Sequence, residues 1–463
     1  MRAFHETRKR LSMTSLNSLA FICASTMFVS TLLPCAVLAQ QVGNVTVQNV
    51  NGAPGVYAIR NARIVTVSGP VIESGTIVIR NGKIEAVGAS ATTPAGAQEI
   101  DASGLTVYPG MIDLGTQMGL TEISSGAPGT VDTSELGEMN PNAQAIVAIN
   151  PHSAHIAVTR VAGVTSVLSL PTGNVISGQA AFINLNGSTP REMAVVPTAA
   201  LALNFPRVST VSFDALFNLQ EVNINEAIKS RDTQLEQLRK ILREAEAYGK
   251  AQDAYAKDNT LPRPAGSVVL AALVPFVRGE RPVVFRADRE VDIRAAVRFA
   301  EEMRLRPIIL GGDDAWKVAA YLKERNVPVI LTGTLDLPAR EDDYYDTLYE
   351  NASKLQKAGV RFCISSGSSG ANVRDLPFHA GMAAAFGLPR DEALKAVTLY
   401  PAQIMNVADR MGTIEAGKMA NLVVTDGDML EARTHVRYLF IEGRQIPLVS
   451  RHTELYEQFK DRK

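Results

Sequence analysis

The sequence predicts an α/β protein: one large barrel of alternating strands and helices with a smaller β domain attached. Three observations predict it. Stretches with period-two alternation lie far apart in the chain, around Tyr57–Gly88 and again after Gly412. Between them, short apolar runs alternate with helical patterns, the mark of repeated βα units. The length of 463 residues exceeds one ordinary domain and suits a barrel with a small companion.

Taken in order, the chain opens with a secretory signal pattern over residues 1–39. Arg2, Arg8, Lys9 and Arg10 form a basic head, Leu16 to Leu38 carry no charge, and Val37-Leu38-Ala39 offers a cleavage site. The expectation is a cleaved signal and a periplasmic or secreted protein. The apolar run also reaches the roughly 20 residues that span a bilayer, so an uncleaved anchor is the competing reading. Cys23 and Cys35 lie in this segment, which leaves Cys363 without a partner for an internal disulfide. Its apolar surroundings predict a buried, inert thiol.

Residues 40–56 are small and polar, a flexible lead-in. YAIRNARIVTVSG and SGTIVIRNGKIEAVG follow, with Asn81-Gly82 as a hairpin signal. Strand-like runs come next at Gly163–Leu170, Ile176–Leu185, Ala194–Ala202, Val283–Arg286, Pro307–Leu310, Pro328–Leu331 and Arg361–Ser365. They are short and continuously apolar, which predicts parallel strands covered on both faces. Helical patterns separate them at Val291–Arg304 and Asp314–Arg325. Over Asn223–Asp258, Leu235, Leu238, Leu242 and Ala245 recur at helical spacing opposite a charged face, which predicts a packed amphipathic helix. The domains expected are a composite β-sandwich from 57–107 and 405–450, a barrel over 108–404 and a tail over 451–463. A net charge of −1 gives no footprint for nucleic acid.

One stretch ties these pieces together. YPGMIDLGTQMGLTE (Tyr108 to Glu122) resembles the first barrel strand of the metal-dependent amidohydrolase superfamily, which reads PG-[LM]-ID-x-H-x-H there. NVISGQAAFI, the GVRF strand and GTIEAGKMANLVV extend the resemblance, with Asn421 where the family usually has Asp. Within the superfamily the chain looks most similar to the imidazolonepropionase-like group. The resemblance implies an amidohydrolase-type (β/α)8 barrel with a composite β-sandwich. It also implies hydrolysis of C–N bonds by a divalent metal such as zinc, held at the C-terminal ends of the strands, with an aspartate as proton shuttle.

At the positions where the family places its ligands, this chain has other residues. Gly115 and Gln117 replace the two histidines of the first strand; Arg286 and Asp288 fall on a later strand; Gly311 and Gly367 replace a histidine and the aspartate. Glycines donate nothing and a guanidinium repels a dication, so no metal or other cofactor is expected. Strand alternation puts Arg286 and Asp288 on one face, where they either pair in place of the metal or form an ordinary surface ion pair. SSGSSG (Ser365 to Gly370) reads as a tight loop with free amides able to hold an anion. The candidate ligand-binding residues at the mouth are therefore Gln117, Arg286, Asp288, Ser365, Ser366 and Ser368. His152 and His155 have H-x-x-H spacing but precede a strand where the family has no metal, and His379 alone makes no site. The acidic pair in GGDDAWK reads as N-terminal capping of the following helix.

Two readings of function follow. In the first, the fold is kept and the metal site lost, leaving a non-catalytic binding or partner subunit, in a homo-oligomer or beside an intact amidohydrolase. In the second, an altered site around the same mouth residues still hydrolyses non-peptide C–N bonds of amides or cyclic amides. Fold resemblance alone does not choose between them.

Overall fold

The computed structural model describes residues 51–123, 127–213, 219–338 and 340–462; the signal pattern and most of the lead-in lie outside them. The N-terminal β run forms β1 (Tyr57–Ile64), β2 (Ile72–Arg80), β3 (Lys83–Gly88), β4 (Gln98–Asp101) and β5 (Thr106–Pro109). Asn81 and Gly82 turn β2 into β3 with both residues at positive φ, 51° and 78°, as the hairpin signal requires. After the barrel come β16 (Leu422–Thr425), β17 (Val436–Ile441) and β18 (Arg444–Gln445). β16 pairs antiparallel with β5, Val424 opposite Val107, so the two ends of the chain make one sheet in the order β18-β17-β16-β5-β1-β2-β3.

That sheet curls on itself. Ile84 of β3 and Phe440 of β17 stand near opposite ends of the strand order, yet share one core with Tyr57, Ile59 and Leu422. A register shift on β1 at Asn61, which has φ 59°, supplies part of the bend. The expected sandwich is therefore one hydrogen-bonded sheet wrapped around its own apolar face.

The barrel strands are β6 (Met111–Thr116), β7 (Val164–Ser169), β8 (Ile176–Asn184), β9 (Ala194–Asn204), β12 (Pro282–Ala287), β13 (Arg306–Gly311), β14 (Val329–Leu331) and β15 (Phe362–Ile364). They follow one another in a single eight-stranded sheet, and Asp113 at β6 bonds to Ser365 and Ser366 after β15, which brings the ends together. One expectation is corrected: β8 runs antiparallel to both β7 and β9. The linkers 170–175 and 185–193 explain the reversal, because a parallel crossover needs about a dozen residues or more.

Alternation along each strand sorts the core into two layers. On β12, Val283, Phe285 and Ala287 join the layer under the helices, whereas Val284 points inward with Phe182, Ile308, Leu310, Ile330 and Cys363. Arg286 and Asp288 continue that inward face at the C-terminal end of β12. Cys363 is fully buried; burial first, then the Asp113 charge, pushes its thiol well up, which fits an inert role.

The long helix forms over Ile224–Lys257, started by Asn223, whose side chain accepts from the Asn225 N–H at 2.9 Å. Its buried stripe is Ala227, Leu238, Leu242, Ala245 and Gly249, and it lies against the helix Val268–Val277. A Cβ at Gly249 would stand 3.2 Å from Val274, so glycine here permits close packing. Before it, β10 (Val211–Phe213) and β11 (Leu219–Glu221) form a small separate hairpin.

Candidate functional site

The mouth of the barrel is the end where β6, β12, β13, β14 and β15 finish. On the β6–β15 side, Asp113 is wholly buried and accepts four bonds: from the Ser365 hydroxyl and the Gly115 N–H (3.0 Å) on Oδ1, and from the Ser366 N–H (3.1 Å) and hydroxyl (2.6 Å) on Oδ2. A buried carboxylate is tolerable only when satisfied in this way. Its lone pairs are thereby committed to the protein.

Gln117 lies beside this cluster. Its amide donates to Thr172 Oγ1 at 3.1 Å, its carbonyl accepts from Thr121, and its own N–H bonds to the Ser368 carbonyl. Ser365, Ser366 and Ser368 sit together, and several of the loop's amides are already bonded within the protein. Gly367 N–H donates to Ser365 Oγ, Ser368 N–H to Ser366 Oγ, and Gly370 and Asn372 N–H to Ser368 Oγ. Serine hydroxyls take up the amides of Gly367, Ser368 and Gly370 from two residues back and that of Asn372 from four.

Arg286 and Asp288 form a second group on β12. They share a face, but no direct ion pair joins them; Arg286 is exposed toward the mouth. Burial raises the Asp288 carboxyl above the usual range, partly opposed by the charges of Arg286 and Arg207. Among the described residues no hydrogen bond or ion pair links this group to the serine cluster.

The glycines at the family's ligand positions are not empty places awaiting a side chain. A Cβ on Gly311 would lie 1.8 Å from Asp288 Oδ1, and Gly311 has φ 104°. A Cβ on Gly115 would lie 2.5 Å from Ser365 Oγ, and one on Gly367 would lie 2.9 Å from Thr332 Cβ. At Gly115 and Gly311 the atoms in the way are the ends of side chains, at Gly367 the root of one, and the positive φ of Gly311 and Gly367 strains any side chain placed there.

Three residues at the mouth gave only a weak sequence signal. Asp313 follows Gly311-Gly312, and burial, then Asp288, Asp336 and Asp314, push its carboxyl up to about 6. Burial would raise its neighbour Asp314 too, but hydrogen bonds from Arg340, Lys317 and the Glu290 N–H prevail and hold it at about 2. Asp314 thus serves the helix Glu290–Glu302, and not the start of its own helix as the capping reading had it. His379 is buried with Nδ1 2.9 Å from Thr334 Oγ1; burial lowers its pKa, while Asp113, Asp336 and Asp375 act to raise it. Of the H-x-x-H pair, the His155 ring bonds to the Glu122 carbonyl at 2.8 Å.

Known proteins share this fold. An amidohydrolase structure from Thermotoga maritima superposes with a TM-score of 0.74 at 24% identity, covering 84% of this chain and 99% of that one. The fold is the amidohydrolase fold. Residues 307–448, from β13 into the C-terminal sheet, match the amidohydrolase family in sequence. An imidazolonepropionase from Mesorhizobium japonicum is 27% identical over 413 residues, covering 81% of this chain and 93% of that protein. A prolidase solved with N-methylphosphonate-L-proline superposes with a TM-score of 0.52 at 18% identity over 84% of this chain.

The amidohydrolase resemblance implies a divalent metal, and the residues at this mouth do not fit one. Among the described residues no three His, Cys, Asp or Glu side chains converge in a ligand set. More directly, Asp113 is fully engaged, Gly115 and Gly311 are packed against Ser365 and Asp288, and Arg286 brings a cation to the same face.

Proposed function

We propose that this chain is an amidohydrolase-superfamily protein whose barrel mouth has been converted from metal-dependent hydrolysis to binding, and that it acts as a non-catalytic subunit. The observation that carries the proposal is the contact at Gly311: the Asp288 carboxylate fills the place where a side chain at 311 would begin. A side chain at 311 could enter only if the Asp288 carboxylate moved aside, which supports a mouth rebuilt around other residues. The exposed Arg286 on the inward face of β12 gives the mouth a fixed charge for a small anionic ligand. A homo-oligomer or a complex with an intact amidohydrolase is the natural assembly, and an exported location follows from the signal pattern.

A second reading has its own support. Asp313 titrates near 6 and belongs to the same electrostatic neighbourhood as Asp336 and the His379–Thr334 pair. A carboxyl in that range is suited to general acid–base work, and the likeness to proteins named as amidohydrolases favours C–N hydrolysis through an altered site.

Metal analysis of the purified mature protein, before and after incubation with zinc, separates the two together with hydrolysis of a panel of N-acyl amino acids and cyclic amides. The binding reading expects substoichiometric metal and no turnover above a heat-inactivated control. One firmly held divalent ion per chain overturns it. Turnover without metal that is abolished by Asp313→Asn establishes the second reading.

A further inference from the structure

We infer that the rim of the mouth beside β6 and β8 is a docking surface for a protein partner that presents a cationic, apolar segment. This gives the binding subunit proposed above its partner-facing surface, and in that sense rests on that reading. The segment that follows β6 is unusual in charge. No Lys or Arg occurs from Ile84 to Thr159, and the loop carries Asp132, Glu135 and Glu138, all exposed and none in an ion pair with a described residue.

The loop and the short helix that follows it, Ala145–Ala148, display large apolar side chains to solvent. Leu136 is 97% exposed and Val147 78%, and together with Asp132 and Glu135 they line a groove of about 580 Å³. The loop is pinned on both sides of Leu136. The Thr172 N–H donates to the Thr133 carbonyl at 2.8 Å, the Asn174 amide to the Glu135 carbonyl at 2.7 Å, and the Ile176 N–H to the Glu138 carbonyl at 3.0 Å. The leucine is therefore held out by an ordered backbone and does not fold back onto the barrel. A second mouth loop, after β14, repeats the combination with Tyr344 and Tyr345 at 82% and 68% exposure among acidic neighbours. A groove that sets Leu136 and Val147 beside the unpaired Asp132 and Glu135, with Asn140, Asn142 and Gln144 completing its walls, complements a partner with apolar anchors flanked by Lys or Arg, and repels an acidic one.

The test uses the full mature chain and a short labelled peptide of alternating Lys and Leu, with a Glu–Leu twin, followed by fluorescence anisotropy. Saturable binding of the Lys–Leu peptide, at least about tenfold tighter than its twin, is expected. The pair Leu136→Ser and Glu135→Gln should weaken that binding by about tenfold or more with an unchanged melting temperature, while Val291→Ser, at an exposed position that does not line this groove, should leave it intact. Equal binding of both peptides, or binding that ignores the rim variants, overturns the inference. So does a wild-type dimer that Leu136→Ser dissociates, because a second copy would then cover the surface. If metal is found and the peptide still binds as expected, the surface stands and the non-catalytic reading falls. If a metal-free protein fails to bind the peptide, the surface alone falls.

Discussion

At the scale of single residues, Gly311 and Asp313 make the sharpest predictions. Gly311→Ala places a Cβ on the Asp288 carboxylate in a backbone conformation, φ 104°, that side chains resist. The variant should lose about 2–4 kcal/mol of stability by chemical denaturation, in the range of strained or overpacked sites. A wild-type-like unfolding midpoint would show that Asp288 moves aside freely and that the site is not closed. Asp313 predicts a pH dependence. Its folded-state value near 6 lies above the ordinary 3.8, so the folded state prefers the protonated carboxyl. That contribution is fully present below about pH 4 and is lost as pH rises through about 6. Asp313→Asn, uncharged throughout, should raise the melting temperature near pH 8 and leave it unchanged near pH 4. Asp314 has the opposite sign: its depressed value near 2 contributes stability above about pH 4 that is lost as pH falls through about 2. Two adjacent aspartates in one sequence motif differ because only Asp314 meets Arg340 and Lys317, and sequence spacing did not announce those partners.

At the scale of elements, period and spacing carried most of the information. The amphipathic pattern of Asn223–Asp258 became the helix Ile224–Lys257, with Leu238, Leu242 and Ala245 buried as the spacing predicted. Leu242→Ala should cost about 2–4 kcal/mol in an unfolding titration, since it opens a cavity between two packed helices; a cost below about 1 kcal/mol would mean the helix is only loosely docked. The reversed direction of β8 was missed. Its apolar composition looks the same in either direction, and only the short linkers at 170–175 and 185–193 betrayed it. The serine loop was legible in the sequence, but its partner was not: Ser365 and Ser366 face the buried Asp113, an interaction 252 residues away for Ser365.

At the scale of the whole molecule, the two ends of the chain depend on each other. β16 completes the sheet begun by β1–β5, and Leu422, Val424 and Phe440 share a core with Tyr57, Ile59 and Ile64. A chain ending at residue 404 should therefore leave that apolar face open and fail to give soluble, cooperatively unfolding protein; a soluble truncation with an intact thermal transition would contradict the composite sheet. The sequence by itself determined the barrel with its companion β sheet, because alternation, helical period and turn residues are local and survive without partners. It also determined that glycine stands at 115, 311 and 367, where the family resemblance led one to expect ligands. Only the tertiary structure decided what stands in their place. Whether a glycine marks an open cavity or a packed contact depends on atoms brought from other strands, as the Asp288 carboxylate is brought to Gly311 and the Ser365 hydroxyl to Gly115.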